Sequence, residues 1–281
     1  MIKLLLTFFL FSSLAIAENL AVGSDDILMR KAVSFIDPKL FTKDRVFLET
    51  ILSPKKDFYM ESGSVDSVKI IKTLKNRGLI NLFFKQPSEI NLSFKTDGTT
   101  ILFMKIMSDS LRNIGYYKYI TKESSLKDKD FLWKISLTSE YATDPVLLSS
   151  ELEKNNCFIT DIIRESATDW TYVVDMRDAK IDTKKLIDGE GVALKRSLYA
   201  YWLDVSGIKE LEIESSDRNS WFPYISYYDK NLQLLRVVRE DEKKRKVSFN
   251  IEKDVYYIKI SDIYTLKNIK DSLVLTSRGE K

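Results

Sequence analysis

The chain reads as an α+β protein in two parts. The first is a helix-strand-strand repeat domain, an antiparallel sheet with helices on one face; the second is an all-β sandwich. Three observations predict this. Between residues 63 and 180 a helical pattern, a Gly or Asn stop and alternating apolar positions recur three times. From residue 196 onward, runs with period-two alternation are separated by regularly spaced turn residues. The 281 residues are 44% hydrophobic and 30% charged, with only 9 Gly and 5 Pro, which is a globular balance with little material for long linkers. A chain of this length holds about two domains at ~100–200 residues each.

Residues 1–17 have a separate character. Lys3 precedes an apolar run from Leu4 to Ile16, and Ala15-Ile16-Ala17 places small residues at the two positions a signal peptidase reads. This pattern predicts a secretory signal cleaved after Ala17. The run is too short to span a bilayer comfortably, and no cysteine follows the cleavage position to accept a lipid. The expected product is exported, periplasmic in a bacterium, and without a transmembrane anchor.

Residues 18–62 read as a helical segment that caps the repeat domain. One helix is expected over Asp25 to Ile36, ending before Pro38. A second is expected over Lys43 to Leu52, stopped by Pro54. The repeat domain occupies residues 63–180. In its first copy Asp66 caps a helix carrying Val68, Ile71 and Leu74, and Arg77-Gly78 ends it. A strand over Leu79 to Lys85 then turns at Pro87-Ser88 into the alternating strand Ile90, Leu92, Phe94. In the second copy a helix with Met104, Met107, Leu111 and Ile114 stops at Gly115, where a left-handed backbone favours a residue without Cβ. Strands follow over Tyr116 to Thr121 and through Phe131, Trp133, Ile135 and Leu137. In the third, Asp144-Pro145 starts a helix, Asn155-Asn156 ends it, and strands follow over Cys157 to Ile163 and through Trp170, Tyr172, Val174 and Met176. Copies one and three superpose without a gap at a displacement of 78 residues, which sets Asp66 on Asp144, Leu74 on Leu152 and Phe94 on Tyr172.

Residues 181–195 are expected to be a linker, most flexible at Asp188-Gly189-Glu190-Gly191. Residues 196–281 then alternate strands with turns at Ser206-Gly207, Ser216 to Ser220, Asp229 to Asn231 and Glu240 to Lys246, the spacing of a sandwich.

Composition excludes several functions. With 44 basic and 41 acidic residues the net charge is +3, which gives no basic surface for nucleic acid. Histidine is absent, and with it the Ser-His and Cys-His triads and the usual zinc ligands. Cys157 is the only cysteine, so no internal disulfide forms. Its apolar neighbours predict a buried small hydrophobe rather than a reactive thiol.

The C-terminal part resembles bacterial pre-peptidase C-terminal domains. Tyr201-Trp202-Leu203-Asp204-Val205-Ser206-Gly207-Ile208 through Ile213 is similar to their first strands. Pro223 to Leu232 is similar to their middle strand and "Y-D-x-x-G" turn, and Val255 to Ser261 to their closing strand. The resemblance covers residues 197–277. It implies a non-catalytic sandwich used for binding or secretion. The turn glycine is replaced by Leu232, which leaves Asn231 as the residue expected to adopt the left-handed backbone. Acidic calcium ligands have no clear counterpart.

Ser206-x-x-Lys209 and Ser124-x-x-Lys127 have the spacing of a Ser-Lys nucleophile pair, but they fall in expected turns and no Lys-Thr-Gly accompanies them. Glu210, Glu212 and Glu214 share one strand face, more in keeping with a wet sheet face than with a carboxylate hydrolase. Neither catalytic, metal nor cofactor residues are therefore expected. The expected interaction surface is Trp221, Phe222 and Tyr224, an aromatic group beside a turn, together with Arg239, Lys243, Lys244 and Arg245 on a mixed-charge hairpin tip.

These readings converge on a non-catalytic periplasmic interaction protein that binds other periplasmic proteins or itself. A scaffold component of an envelope-spanning machine, such as a polar flagellar motor disk, is the specific expectation. The alternative is a module for peptidoglycan or other carbohydrate, stacking sugar rings on the aromatic group.

Overall fold

The computed structural model describes residues 24–36 and 38–281. The expected signal sequence, residues 1–17, lies outside the described residues. The protein is mixed α+β, with about 41% strand and 22% helix. No helix among the described residues is long and apolar enough to cross a membrane.

Two helices open the described chain, α1 (Ser24–Val33) and α2 (Pro38–Ile51). The second begins at Pro38 rather than Lys43, because proline fits the first helical position, where its missing N–H has no partner to lose. Leu28, Ala32, Phe35, Leu48 and Leu52 are buried in the same core as the repeat domain. The helical segment is thus part of that unit.

Three further helices are α3 (Ser67–Asn76), α4 (Thr100–Asn113) and α5 (Pro145–Glu153). The Asp66 carboxylate accepts from the Lys69 amide and that of Asp144 from the Val146 amide, so both aspartates cap as expected. All three helices end alike. The amides of Leu79, Tyr116 and Cys157 donate to the carbonyls of Leu74, Leu111 and Leu152 at 2.9, 2.8 and 3.1 Å. Gly78, Gly115 and Asn156 supply the positive φ angles, 70°, 102° and 53°, which this helix stop requires.

The helices cover one face of a five-stranded sheet. Its strands are β1 (Phe83–Thr96), β2 (Ile120–Lys127), β3 (Asp130–Tyr141), β4 (Phe158–Arg164) and β5 (Asp169–Asp175), in the order β2-β3-β1-β5-β4. The inward residues form an aromatic row, in which the Phe94 ring lies 5.7 Å from Trp133 and 5.6 Å from Tyr172. Two expectations need correction here. The strands expected on either side of Pro87-Ser88 are one strand. Its register with β3 shifts between Phe83 and Ser88, so Pro87 falls where no ladder N–H is needed. The sheet is also mixed rather than antiparallel. Three pairings are antiparallel, but β1 and β5 run parallel, pairing Asn91 with Asp169, Leu92 with Trp170 and Phe94 with Tyr172. Every one of these pairs is separated by the 78 residues found in the sequence. The ladder between β1 and β5 is thus in register with the displacement that aligns the two sequence segments.

The remaining strands are β6 (Lys184–Lys185), β7 (Gly191–Lys195), β8 (Tyr201–Asp204), β9 (Ile208–Ser215), β10 (Pro223–Tyr228), β11 (Leu234–Arg239), β12 (Lys246–Asn250), β13 (Tyr257–Asp262) and β14 (Ser272–Glu280). They form two sheets, β11-β10-β13-β8-β6 and β12-β9-β14-β7. Leu203, Ile225 and Ile258 from one sheet and Leu211, Ile213 and Leu275 from the other share a single core. The stretch 181–195 is not a free linker, since β6 belongs to one sheet and β7 to the other. Its glycine-rich part is pinned as well: Gly189 donates to the Ser277 carbonyl at 3.0 Å, and Asp188 accepts from the Gly279 amide at 2.7 Å.

The two parts meet at a packed joint. Leu232 and Tyr257 are buried in the core of the first unit, with Trp202 and Tyr228 packed against it. Lys105 of α4 sits 5.0 Å from the Trp202 ring, within cation–π range. Leu232, not Asn231, takes the left-handed backbone, at φ 61°. That conformation costs a side chain about 1–2 kcal/mol. Burying a leucine contributes about 1.5–3 kcal/mol, so the joint offsets the strain.

Candidate functional site

The helix-free face of the first sheet carries a dense arrangement of polar groups. Ile90, Leu92 and Phe94 of β1 point to the helices, so Glu89, Asn91, Ser93 and Lys95 point away. Strand register extends these into rows: Ser136, Asn91 and Asp169; Glu123, Lys134, Ser93 and Thr171; Ser125, Leu132, Lys95 and Val173. Two grooves of about 760 and 580 Å³ lie on this face and share Lys95 and Leu132, making one trough.

Neighbouring side chains in the trough satisfy one another. Ser136 donates to Glu89 at 2.6 Å and Lys122 lies 3.4 Å from the same oxygen. Lys134 meets Glu123 at 2.8 Å, Thr171 donates to Glu165 at 2.7 Å, and Asn91 donates to Asp169 at 2.9 Å. The donors set the protonation of the acids. The Ser136 hydroxyl, then Lys122, holds Glu89 below its ordinary value; Lys134, then Ser125, does so for Glu123. Ser166, with Thr168 and Asn91, lowers Asp169, and Arg177 lowers Asp175 at the trough's end. These carboxylates stay ionised at neutral pH and are poor proton donors. The arrangement suits binding through fixed charges and hydroxyls.

The same shifts set the response to acid. A carboxylate depressed in the folded state stabilises the fold above its unfolded pKa, and that contribution is lost as pH falls through the folded value. The melting temperature is therefore expected to decline steadily below about pH 4, with a shallower decline in Asp169→Asn. A profile unchanged by that substitution would count against the role of Asp169.

Other candidates from the sequence fare differently. Ser124 and Lys127 both lie on β2, three positions apart, and so point to opposite faces. Ser206 sits in the turn before β9, its amide bonded to Asp204 at 2.8 Å. Glu212 pairs with Lys246 at 2.7 Å, which is the main cause of its lowered pKa. Among the described residues no group of three or more His, Cys, Asp or Glu is placed to hold a metal.

Trp221 requires a correction. Expected at the surface, it is fully buried in the C-terminal core, and its indole N–H donates to the Ser261 carbonyl at 2.8 Å. Phe222 is half-buried, edge-on to Tyr264 at 5.0 Å. Tyr224 is half-buried on β10, directly across from Arg239 on β11. The hairpin cations have local acid partners. Arg239 bonds Asp241 at 3.0 Å, Lys244 bonds Glu242 at 3.1 Å and Arg245 meets Asp217 at 2.9 Å, while Lys243 is exposed. The Lys244 amide also donates to the Trp221 carbonyl at 3.1 Å. The expected surface is thus one end of the C-terminal unit with its leading aromatic turned inward. The trough was missed because its residues are the polar halves of alternating strands, and only the sheet register brings them together.

Cys157 is buried, and desolvation, with Asp175 adding to it, pushes its thiol up to about 12. A thiol reagent is expected to leave the native protein unlabelled and to label it fully in denaturant. Rapid labelling of folded protein would contradict the burial.

No family model, curated protein or solved structure matches the chain.

Proposed function

We propose that the protein is a non-catalytic structural and interaction protein, exported to the periplasm after cleavage at Ala17. In this reading residues 63–180 are a three-copy helix-and-strand repeat, with one strand in the first copy and two in each of the others, and residues 181–281 are a β-sandwich of the pre-peptidase C-terminal kind. The observation that carries the reading is the trough: a wide, helix-free sheet face whose acids are held ionised by neighbouring hydroxyls and lysines, in a chain without histidine. Its partners are other proteins of an envelope-spanning machine, with a polar flagellar motor disk as the specific candidate. The peptidoglycan-binding alternative loses Trp221 as its sugar platform, and a hydrolase built on Glu212 loses its acid to the Lys246 pair.

The test is photo-crosslinking in living cells from a probe amino acid at Ser93, followed by mass spectrometry. Recovery of motor or other envelope-machine proteins supports the scaffold reading and names the machine. Recovery of muropeptides alone would transfer the function to wall binding, and recovery of the chain's own copies alone would make it a self-assembling protein.

A further inference from the structure

One end of the C-terminal unit gathers four loops, residues 196–200, 216–222, 240–245 and 263–271. Strand register brings them together: Lys195 lies beside Ser272, Tyr201 beside Ile260, Ser215 beside Leu273 and Tyr224 beside Arg239. Backbone bonds then tie loop to loop. The Ser220 amide donates to the Asn268 carbonyl at 2.9 Å, the Ile263 amide to the Phe222 carbonyl at 3.0 Å and the Lys244 amide to the Trp221 carbonyl at 3.1 Å. The end is therefore a preformed surface, which lowers the ordering cost of binding.

The whole chain carries only +3, but this end is uneven: its four loops hold seven Lys and Arg against five Asp and Glu. The acids are engaged locally. Asp217 meets Arg245 at 2.9 Å, Asp241 meets Arg239 at 3.0 Å, Glu240 and Glu242 meet Lys244 at 3.6 and 3.1 Å, and Asp271 accepts from the Ser216 hydroxyl at 2.7 Å. Arg196, Arg218, Lys243, Lys267 and Lys270 are exposed, and among the described residues none of them has a carboxylate within ion-pair distance. Apolar groups stand between these cations. Leu198 is 78% exposed and Tyr264 64%, the latter edge-on to Phe222.

We propose that this end docks on the surface of a bilayer that carries anionic phospholipid. The five unpaired cations meet the headgroup phosphates, and each Lys or Arg near the surface adds to the attraction. Leu198 and Tyr264 enter the headgroup layer, where apolar side chains and rings with a polar tip are favoured. Charge alone would suit an acidic protein as well. The exposed apolar groups favour lipid, and long, unrestrained cations on four separate loops match mobile headgroups better than a fixed set of carboxylates. The surface uses none of the trough residues and stands or falls independently of them.

The test is co-sedimentation of the mature chain, residues 18–281, with vesicles of equal parts phosphatidylglycerol and phosphatidylcholine, beside vesicles of phosphatidylcholine alone. Pelleting is expected with the anionic vesicles only, weakening about tenfold or more between about 0.1 M and 0.5 M salt as the charges are screened. Lys267→Glu with Lys270→Glu is expected to weaken it about tenfold or more. Lys72→Glu with Lys85→Glu, which makes the same change in net charge on exposed positions of the first unit, leaves it unchanged. Leu198→Ser with Tyr264→Ser is expected to weaken it about tenfold while the salt dependence persists. The proposal is overturned if neither vesicle pellets the protein, if both do so equally, if either pair of substitutions at this end has no effect, or if the distant pair weakens binding as much. Tighter binding to soluble polyglutamate than to the anionic vesicles would give the end to an acidic protein, and would overturn it too.

Discussion

Phe94→Ala is expected to lower the unfolding free energy by about 3–5 kcal/mol in a urea titration. Phe94 is fully buried on the central strand of the first sheet, with Trp133 and Tyr172 on the two flanking strands. Both neighbours are held by their polar tips: Trp133 donates to Thr121 at 3.2 Å and Tyr172 donates to the Thr143 carbonyl at 3.2 Å. Rings tethered in this way cannot slide inward to fill the gap, so the cost falls at the upper end of the range for large-to-small core changes. A loss under about 1 kcal/mol, typical of a surface position, would mean that the aromatic row is not what holds the sheet to its helices.

Trp221→Ala is expected to cost a similar amount, about 3–5 kcal/mol, and it separates two readings of the residue. As a core anchor, Trp221 fills space between the C-terminal sheets and satisfies the Ser261 carbonyl. Trp221→Phe keeps much of the volume but removes the indole donor to that carbonyl, a loss of about 0.5–1.5 kcal/mol for one hydrogen bond. A stack for sugar would behave otherwise. Its removal would leave stability within about 0.5 kcal/mol and abolish pelleting with peptidoglycan. Urea titration of both variants beside a pelleting assay distinguishes the two outcomes.

Local signals in the sequence were reliable where a single residue determines the local geometry. Asp66 and Asp144 cap their helices, and Gly78, Gly115 and Asn156 end them, because caps and left-handed stops depend on the chemistry of one residue and a few neighbours. The 78-residue displacement was visible for the same reason: it repeats those local signals. The pairing of β1 with β5 was not visible, since parallel partners are chosen by the tertiary arrangement. Leu232 adopts a backbone that favours glycine because its side chain is buried at the joint, and no window of sequence around it contains that contact.

Trp221 shows a further limit. Its neighbours Asn219 and Ser220 look like surface turn residues, yet Asn219 is itself buried. Its side-chain oxygen accepts from the amides of Lys270 and Asp271 at 2.8 and 2.9 Å. A buried asparagine satisfied by distant backbone is indistinguishable in sequence from a solvated one. The trough was hidden in a comparable way. Asn91, Ser93, Lys95 and Thr171 are ordinary outward positions on separate strands, and they become a surface only in register.

The insertion of β6 and β7 into different sheets has a mechanical consequence. The chain leaving the first unit is fastened to both C-terminal layers within a dozen residues, by Lys184 beside Leu203 and by Gly191 to Lys195 beside β14. A pull on the connecting chain is therefore met first by β6 and only then by β7, whose ladder with β14 is loaded along the strand direction. With Leu232 and Tyr257 seated across the joint, the two parts are held by side-chain packing as well as by the connecting chain, which restricts their relative motion. A joint of this kind makes separation of the two parts cost the burial of Leu232, Tyr257, Trp202 and Tyr228 together.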